Sequence, residues 1–159
     1  MELVMHIVHT TEELIREDGV QAIFLAGPSP RGRRELAWRP DAMALLEKTG
    51  FTGVIYNPED RHEFKGGGAY SADWEDRAFE VSTVILFWVP RHMATLPGMT
   101  TNVEFGRFAA DPRSVYGRPD DAEHNGYLDW LWGRVGKGAP CRTLEATIAA
   151  ALSHLKKKP

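Results

Sequence analysis

Glu104 stands where a carboxylate could do chemistry. It follows a wholly apolar run at 84–89, which is short and rich in β-branched residues, as buried strands are. A loop containing proline and glycine, at 90–98, separates this run from the helix-start residues at 100–104. Because open α/β sheets bind ligands beyond the carboxyl ends of their strands, Glu104 is expected at a ligand site. On the first turn of a helix, the dipole would favour the ionised carboxylate that a nucleophile requires.

A purely structural role for the same residue stays open. Thr101 and Glu104 have the spacing of a capping box, in which the glutamate bonds back to the backbone N–H of the capping residue. A carboxylate folded back in this way would not be free to react.

A second stretch whose residues could bind a ligand is the loop at 29–34, which contains Ser29, Arg31 and Arg33. It follows the apolar run at 20–26, and backbone N–H groups with guanidinium groups could bind a phosphate there. The loop has neither the Gly-Lys-Ser/Thr ending of a Walker loop nor a GxGxxG pattern. An exposed basic turn is the alternative interpretation.

Composition narrows the class of protein. The 159 residues predict one domain, 1–159, and the net charge of −3 gives no basic surface for nucleic acid, so a small-molecule partner is expected. Cys141 is the only cysteine, and the histidines lack ligand spacing, so neither a disulfide nor a metal site is predicted. No run approaches the roughly 18 apolar residues of a membrane span, and no signal peptide is evident. A cytoplasmic location is therefore expected.

Apolar runs alternate with helical patterns along the chain. Strands are predicted at 3–8, 20–26, 52–56, 84–89 and 114–116, with a weak one at 140–143. Helices are predicted from Pro40 to Thr49 with Gly50 just beyond the end, from Ser71 or Asp73 to about 82, around 100–110, at 127–135 and from Thr143 to about 155. This order predicts an α/β fold, a flavodoxin-like doubly wound sheet of about five parallel strands with helices on both faces.

Several apolar side chains receive specific predictions. Val103 and Phe105 are expected on the buried side of their helix, and Trp74 is expected either in the core or as a wall of the site. Trp130 and Trp132 are expected in the core or at an interface.

Five motifs in this order resemble the nucleoside 2-deoxyribosyltransferase superfamily, which includes the nucleotide N-glycoside hydrolases. The likeness runs from about residue 20 to about residue 130, and its motifs are Ile23–Pro28, Tyr56–Glu59, Trp74-Glu75, Phe87–Pro90 and Thr100–Arg107.

The resemblance implies a retaining double displacement at an anomeric carbon, with no metal and no cofactor. Glu104 stands at the position of the family's nucleophile, and Glu75 at that of an acidic residue on the preceding helix. Such chemistry needs one carboxylate to trap the sugar and one acid to protonate the departing base. Glu104 would be the nucleophile, and Glu75 would be either the proton donor or a residue that positions the sugar hydroxyls. Two carboxyl groups held close together also tend to split in pKa, which leaves one charged and one neutral.

The sequence departs from the family pattern at two positions. Phe24 replaces a tyrosine, and Gly98 replaces a base-binding aspartate, which leaves Met99 and Asn102 as candidates for contact with the base. The loop at 29–33 resembles the phosphate-binding loop of the nucleotide hydrolases. The residues expected to bind substrate are therefore Phe24, Gly27, Pro28, Ser29, Arg31, Arg33, Trp74, Met99 and Asn102.

The expected activity is cleavage of a nucleoside N-glycosidic bond with transfer of the (deoxy)ribosyl group to another base. Three alternatives stay open, namely a 5′-nucleotide hydrolase, an NAD-type glycohydrolase and a binding module without turnover. The resemblance also implies a homodimer or a larger homo-oligomer.

Overall fold

The computed structural model describes residues 4–30, 36–61 and 69–157. Within these ranges the strands are β1 His6–His9, β2 Ala22–Ala26, β3 Val54–Asn57, β4 Val84–Trp88 and β5 Ser114–Gly117. The helices are α1 Arg39–Lys48, α2 Ala69–Val81, α3 Met99–Phe108, α4 Gly126–Arg134 and α5 Leu144–Lys156. No helix of the described ranges has the length and apolar character needed to cross a membrane.

The five strands form one parallel sheet in the order β1-β3-β2-β4-β5. From β2 the chain first winds to β3 on one side and then crosses back to β4 on the other. The direction of winding therefore reverses at β2, and a crevice opens between the carboxyl ends of β2 and β4, where ligands bind in such sheets. This confirms the predicted doubly wound α/β fold.

Helices cover both faces of the sheet, and every residue of β2 and β4 is therefore buried. On one face Phe24 and Phe87 pack with residues of α2, α3 and α4, including Phe79, Phe105 and Trp132. On the other face, Leu25 and Leu86 pack with residues of α1 and α5, including Leu46 and Ile148. The uninterrupted apolar strands thus divide the core into two layers, and Glu75 and Glu104 belong to helices of the same layer.

The segment predicted as a weak strand at 140–143 is not one. Only Cys141 pairs with β5, by donating to Tyr116 O and accepting from the N–H of Arg118. Pro140 has no N–H to donate, and Thr143 already caps α5 by accepting a hydrogen bond from the N–H of Ala146. The sheet nevertheless has five strands because β1 occupies its edge.

Two predictions on helices were wrong. Helix α2 begins at Ala69, before Ser71 and Asp73, which were expected to cap it. Val103 was expected to be buried, but it is 65% exposed, because α3 turns Thr101 and Phe105 towards the core instead. Of the two tryptophans of α4, Trp132 is buried and Trp130 is exposed.

Gly27, the first residue after β2, has no room for a side chain. A Cβ at this position would lie 2.1 Å from Trp88 O, and its φ of 148° disfavours any other residue. We therefore expect Gly27→Ala to lower the free energy of unfolding by about 3 kcal/mol, measured by urea denaturation. Gly106→Ala is the matched control: no atom lies within 4 Å of its added Cβ, so it should be neutral or stabilising by up to about 1 kcal/mol. Equal losses in both variants would contradict this account.

Candidate active site

Glu104 lies on the second turn of α3 and not on the first. The helix begins at Met99, and its N-cap is Gly98, which has a left-handed conformation with φ 61° and makes no side-chain cap bond. Thr101 is consequently inside the helix and cannot form the capping box that its sequence suggests. The predicted place on the first turn was therefore wrong, and the helix dipole favours the ionised carboxylate less than it would there, because its effect falls off within that turn.

The structure brings Glu75 of α2 and Glu104 of α3 together. Their carboxyl groups share a hydrogen bond, and both side chains are partly buried. A hydrogen bond between two carboxyl groups requires a proton on one of them. We call these two groups the carboxyl pair.

The surroundings of the carboxyl pair favour retention of that proton. Burial, as the largest cause, together with the charge of Glu75 and its hydrogen bond, raises the pKa of Glu104 to about 8. Burial also raises the pKa of Glu75, while the hydrogen bond from Glu104 opposes the shift. At neutral pH the ligand-free pair therefore holds one proton, mainly on Glu104, and carries its charge on Glu75.

This shift predicts that stability depends on pH through Glu104. Its pKa is raised from 4.5 to about 8 on folding, so the folded state binds more protons than the unfolded state between these values. The free energy of unfolding then falls as pH rises through this window. Glu104→Gln should remove this loss of stability at high pH, because glutamine does not ionise. We expect the variant to be more stable than the unchanged protein by about 2 kcal/mol at pH 9, with a smaller difference at pH 4.5.

Urea denaturation at the two pH values measures the effect. Glu80→Gln is a control because Glu80 is an exposed residue of α2. A stability difference for Glu104→Gln that does not change with pH would contradict the assigned shift.

The loop after β2 is bound to the start of α1. The guanidinium of Arg39, which is 1% exposed, donates to Leu25 O at 2.9 Å and to Gly27 O at 2.7 Å. It also donates to Ser29 Oγ at 2.9 Å. The preceding residue, Trp38, donates from its indole N–H to Pro28 O at 3.0 Å. Gly27 and Pro28 are buried in this arrangement, and Ser29 is exposed.

Glu59, at the end of β3, supplies the counter-charge for Arg39. Its Oε1 lies 2.8 Å from Nη1 of Arg39, and both side chains are buried. Sequence analysis missed Arg39. The sequence does contain a signal for this pair, because Glu59 follows a strand and Arg39 begins a helix. A βαβ unit brings the start of its helix and the carboxyl ends of its strands to the same end of the sheet.

The loop after β2 also contacts the loop before α3. A Cβ at Gly98 would lie 2.9 Å from Cβ of Pro28. Because Gly98 lacks a side chain, the two loops approach each other across the crevice, and the segment containing Ser29 lies beside the helix that carries Glu104.

Asn102 and Met99 are both exposed near the start of α3. Oδ1 of Asn102 accepts a hydrogen bond from the buried guanidinium of Arg91. Arg91 also donates to Pro97 O at 2.8 Å and to Oδ1 of Asn125 at 3.1 Å. The oxygen of Asn102 is thus engaged, and the group it can offer to a ligand is its NH₂ donor.

Phe24 and Trp74 are buried, and Trp74 also lines a cavity of about 330 Å³ with Glu12 and Arg77. They are 1% and 2% exposed, and Phe24 stacks on Phe79 with ring centroids 4.0 Å apart. The indole N–H of Trp74 donates to Glu12 O at 2.8 Å. Both rings are core residues in the layer that holds α2, and their contact with a substrate stays a prediction.

Two predicted site residues, Arg31 and Arg33, lie outside the described residues. In the described part of the chain, no group of three or more His, Cys, Asp or Glu side chains is placed to hold a metal ion.

A family model described as "Nucleoside 2-deoxyribosyltransferase like" matches residues 20–122 of the 159. The chain belongs to this family. The matched region of this nucleoside 2-deoxyribosyltransferase-like protein runs from β2 past β5 and contains Arg39, Glu75 and Glu104. Membership indicates a glycosyltransferase-type enzyme with a small nucleoside-class substrate. A comparison with curated proteins finds no match.

Proposed function

We propose that this nucleoside 2-deoxyribosyltransferase-like protein cleaves the N-glycosidic bond of a (deoxy)nucleoside and transfers the sugar to another base. The observation that supports the proposal is the carboxyl pair, in which Glu75 and Glu104 share one hydrogen bond beside the crevice of the sheet. Two adjacent carboxyl groups with one proton between them are the groups that a retaining displacement at an anomeric carbon uses.

The proposed reaction begins with a proton transfer inside the carboxyl pair. In the ligand-free protein the proton is mainly on Glu104, whose pKa is raised to about 8. Movement of this proton along the shared hydrogen bond gives an ionised Glu104 and a neutral Glu75. The carboxylate of Glu104 then attacks the anomeric carbon, the N-glycosidic bond breaks, and Glu75 donates its proton to the departing base.

The second half of the reaction reverses these roles. The acceptor base attacks the anomeric carbon of the glycosyl-Glu104 ester, and Glu75 takes the proton that the acceptor loses. The bond to Glu104 breaks, and the pair again holds one proton and one charge. Two displacements on the same carbon retain its configuration.

The groups proposed to hold the substrate come from the loop after β2 and from the start of α3, which follows the loop that ends at Gly98. On one side are Gly27, Pro28 and Ser29, and on the other Met99 and the NH₂ group of Asn102. Contact between these loops at Pro28 and Gly98 supports a single pocket. Arg31 and Arg33 would add two positive charges if the substrate carries a 5′-phosphate.

A second candidate function is hydrolysis of a 5′-nucleotide, with water in place of the acceptor base. The exposed hydroxyl of Ser29, held by Arg39 at the start of the arginine-containing segment, favours it. A hydroxyl donor followed closely by two arginines is suited to a phosphate.

Mass spectrometry of the reaction products tests these functions. The purified protein is incubated with deoxynucleosides, ribonucleosides and their 5′-monophosphates, each with and without a second free base. A new nucleoside that requires the acceptor supports the transferase, and free base with free sugar or sugar phosphate supports the hydrolase. No turnover by the folded protein across the panel would leave a binding module as the remaining function.

We also propose that the protein forms a homodimer or a larger homo-oligomer. Tyr127 and Trp130 of α4 are 70% and 55% exposed, and their ring centroids lie 5.2 Å apart. Exposed aromatic pairs are typical of interface anchors. Light scattering of the unchanged protein and of Trp130→Ala would test this, and a monomer at all accessible concentrations would contradict it.

A further inference from the structure

Arg39 makes more hydrogen bonds than a structural ion pair needs. Its guanidinium binds two backbone carbonyls, one hydroxyl and one carboxylate, and all four acceptors lie at the carboxyl ends of β2 and β3. Buried ion pairs often stabilise a protein no better than well-packed apolar residues would. A buried arginine with this set of partners is therefore better explained by what it holds in place than by stability.

The hydrogen bond to Ser29 has a chemical consequence. Arginine can only donate, so Oγ of Ser29 accepts from Nη1 of Arg39, and the hydroxyl hydrogen must point elsewhere. Ser29 is exposed beside the contact between the two crevice loops. The serine therefore presents a donor that suits an oxygen acceptor, such as a sugar hydroxyl or a phosphate oxygen.

The charge of Arg39 also acts on the carboxyl pair. It opposes the rise in pKa of both Glu75 and Glu104. Among the described residues, Arg107 of α3 also opposes the rise for Glu104, but this side chain is half-exposed and paired with Asp76 of α2. Water screens such an exposed charge more than a buried one, so Arg39 is the principal positive charge, and its own counter-charge is Glu59.

We propose that Arg39 is a positioning residue of this site, which orients the Ser29 hydroxyl towards the substrate and, balanced by Glu59, stabilises the negative charge of the carboxyl pair. The proposal rests on the proposed function for its substrate part. Its electrostatic part concerns the free protein and can be measured without turnover.

The electrostatic part predicts opposite shifts for two variants. Glu59→Gln keeps an acceptor for Arg39 but leaves its positive charge unbalanced, so the carboxyl pair should titrate at lower pH, by about half a unit. Arg39→Gln removes the positive charge and leaves Glu59, so the pair should titrate at higher pH by a similar amount. The probe is the carboxyl ¹³C resonance of Glu75 and Glu104 in the free protein, followed from pH 4 to pH 10.

Arg142→Gln is the matched control, because it removes one arginine charge at an exposed pair with Asp120. It should leave the titration of the carboxyl pair unchanged. Opposite shifts in the Glu59 and Arg39 variants support the proposal. Unmoved titrations, or shifts in the same direction, overturn its electrostatic part. If Arg39→Gln does not fold, the downward shift in Glu59→Gln decides the question.

The positioning part is tested with Ser29→Ala, which removes one exposed hydroxyl and leaves Arg39 in place. In the active protein we expect KM to rise about 10-fold with little change in kcat and no change in the titration of the carboxyl pair. An unchanged KM overturns the assigned role of the serine. Absence of turnover in the unchanged protein would instead count against the proposed function. The affinity for a nucleoside would then be measured from the change in its NMR resonances as it binds the protein. Equal affinities in Ser29→Ala and the unchanged protein would overturn the assigned role of the serine.

Discussion

Replacement of Glu104 by glutamine is expected to reduce kcat/KM for nucleoside cleavage by at least about 10⁴-fold, because the amide cannot form the glycosyl ester that divides the reaction into two steps. Binding should persist, since glutamine has the shape of glutamate and can keep the hydrogen bond to Glu75. The measurement is steady-state kinetics combined with intact-protein mass spectrometry after rapid acid quench. The unchanged protein should show a mass increase equal to one sugar less one water, the mass that a glycosyl ester adds, and Glu104→Gln should show none.

Glu80→Gln is the control for this experiment, because it makes the same chemical change on the exposed side of α2. Its activity should stay within about two-fold of the unchanged protein. Full activity in Glu104→Gln, or a sugar adduct on a different residue, would remove Glu104 from the nucleophile position.

Replacement of Glu75 by glutamine is expected to lower kcat by about 10²- to 10³-fold, the usual contribution of a general acid. The loss should be much smaller with a nucleoside whose purine base is methylated at N7, because that base already carries a positive charge and departs without a proton. Kinetics with the two substrates therefore separate proton donation from general damage to the site. Equal losses on both substrates would contradict the assigned role of Glu75.

The same variant should also change the dependence on pH. The charge of Glu75 and its hydrogen bond both raise the pKa of Glu104, although burial contributes most. With glutamine at position 75, the pKa of Glu104 should fall but remain above 4.5, since burial is unchanged. In the unchanged protein the alkaline limb of the kcat/KM profile reports loss of the one proton that the pair holds, at about pH 8. Glu75→Gln has no such proton to donate, so this alkaline limb should be absent from its profile. A limb that stays in place would show that the two groups do not share a proton during turnover.

Much of the fold could be predicted because its signals are local. The apolar runs at β2 and β4 are long enough and uniform enough to be recognised as buried strands, and alternation with helical patterns implies a parallel sheet. The weak strand predicted at 140–143 does not form because Pro140 has no N–H to donate and Thr143 caps α5, which leaves Cys141 alone to pair with β5. The strand order could not be read from any local pattern, although the rules for parallel crossovers restrict it strongly.

The candidate site was predictable only where a motif carries the signal. Glu104 and Glu75 were found through their place in ordered motifs, and the structure brings their carboxyl groups together. Arg39 was missed because nothing next to it in sequence requires a buried charge. Its partners are Leu25, Gly27, Ser29 and Glu59, which only the packing of α1 against two strand ends brings within reach.

The sequence by itself determined the fold class, the end of the sheet where a ligand site should lie, and the two carboxylates to examine. These follow from the periodicity, composition and order of motifs, which are properties of the linear sequence and need no contacts between distant residues. Only the tertiary structure decided that α3 starts at Met99 with Gly98 as its N-cap, that Glu104 is therefore released from a capping role, and that the pair holds a proton. Burial and the distances between charges set the protonation of a carboxylate, and both depend on residues that are far apart in the chain and adjacent only after folding.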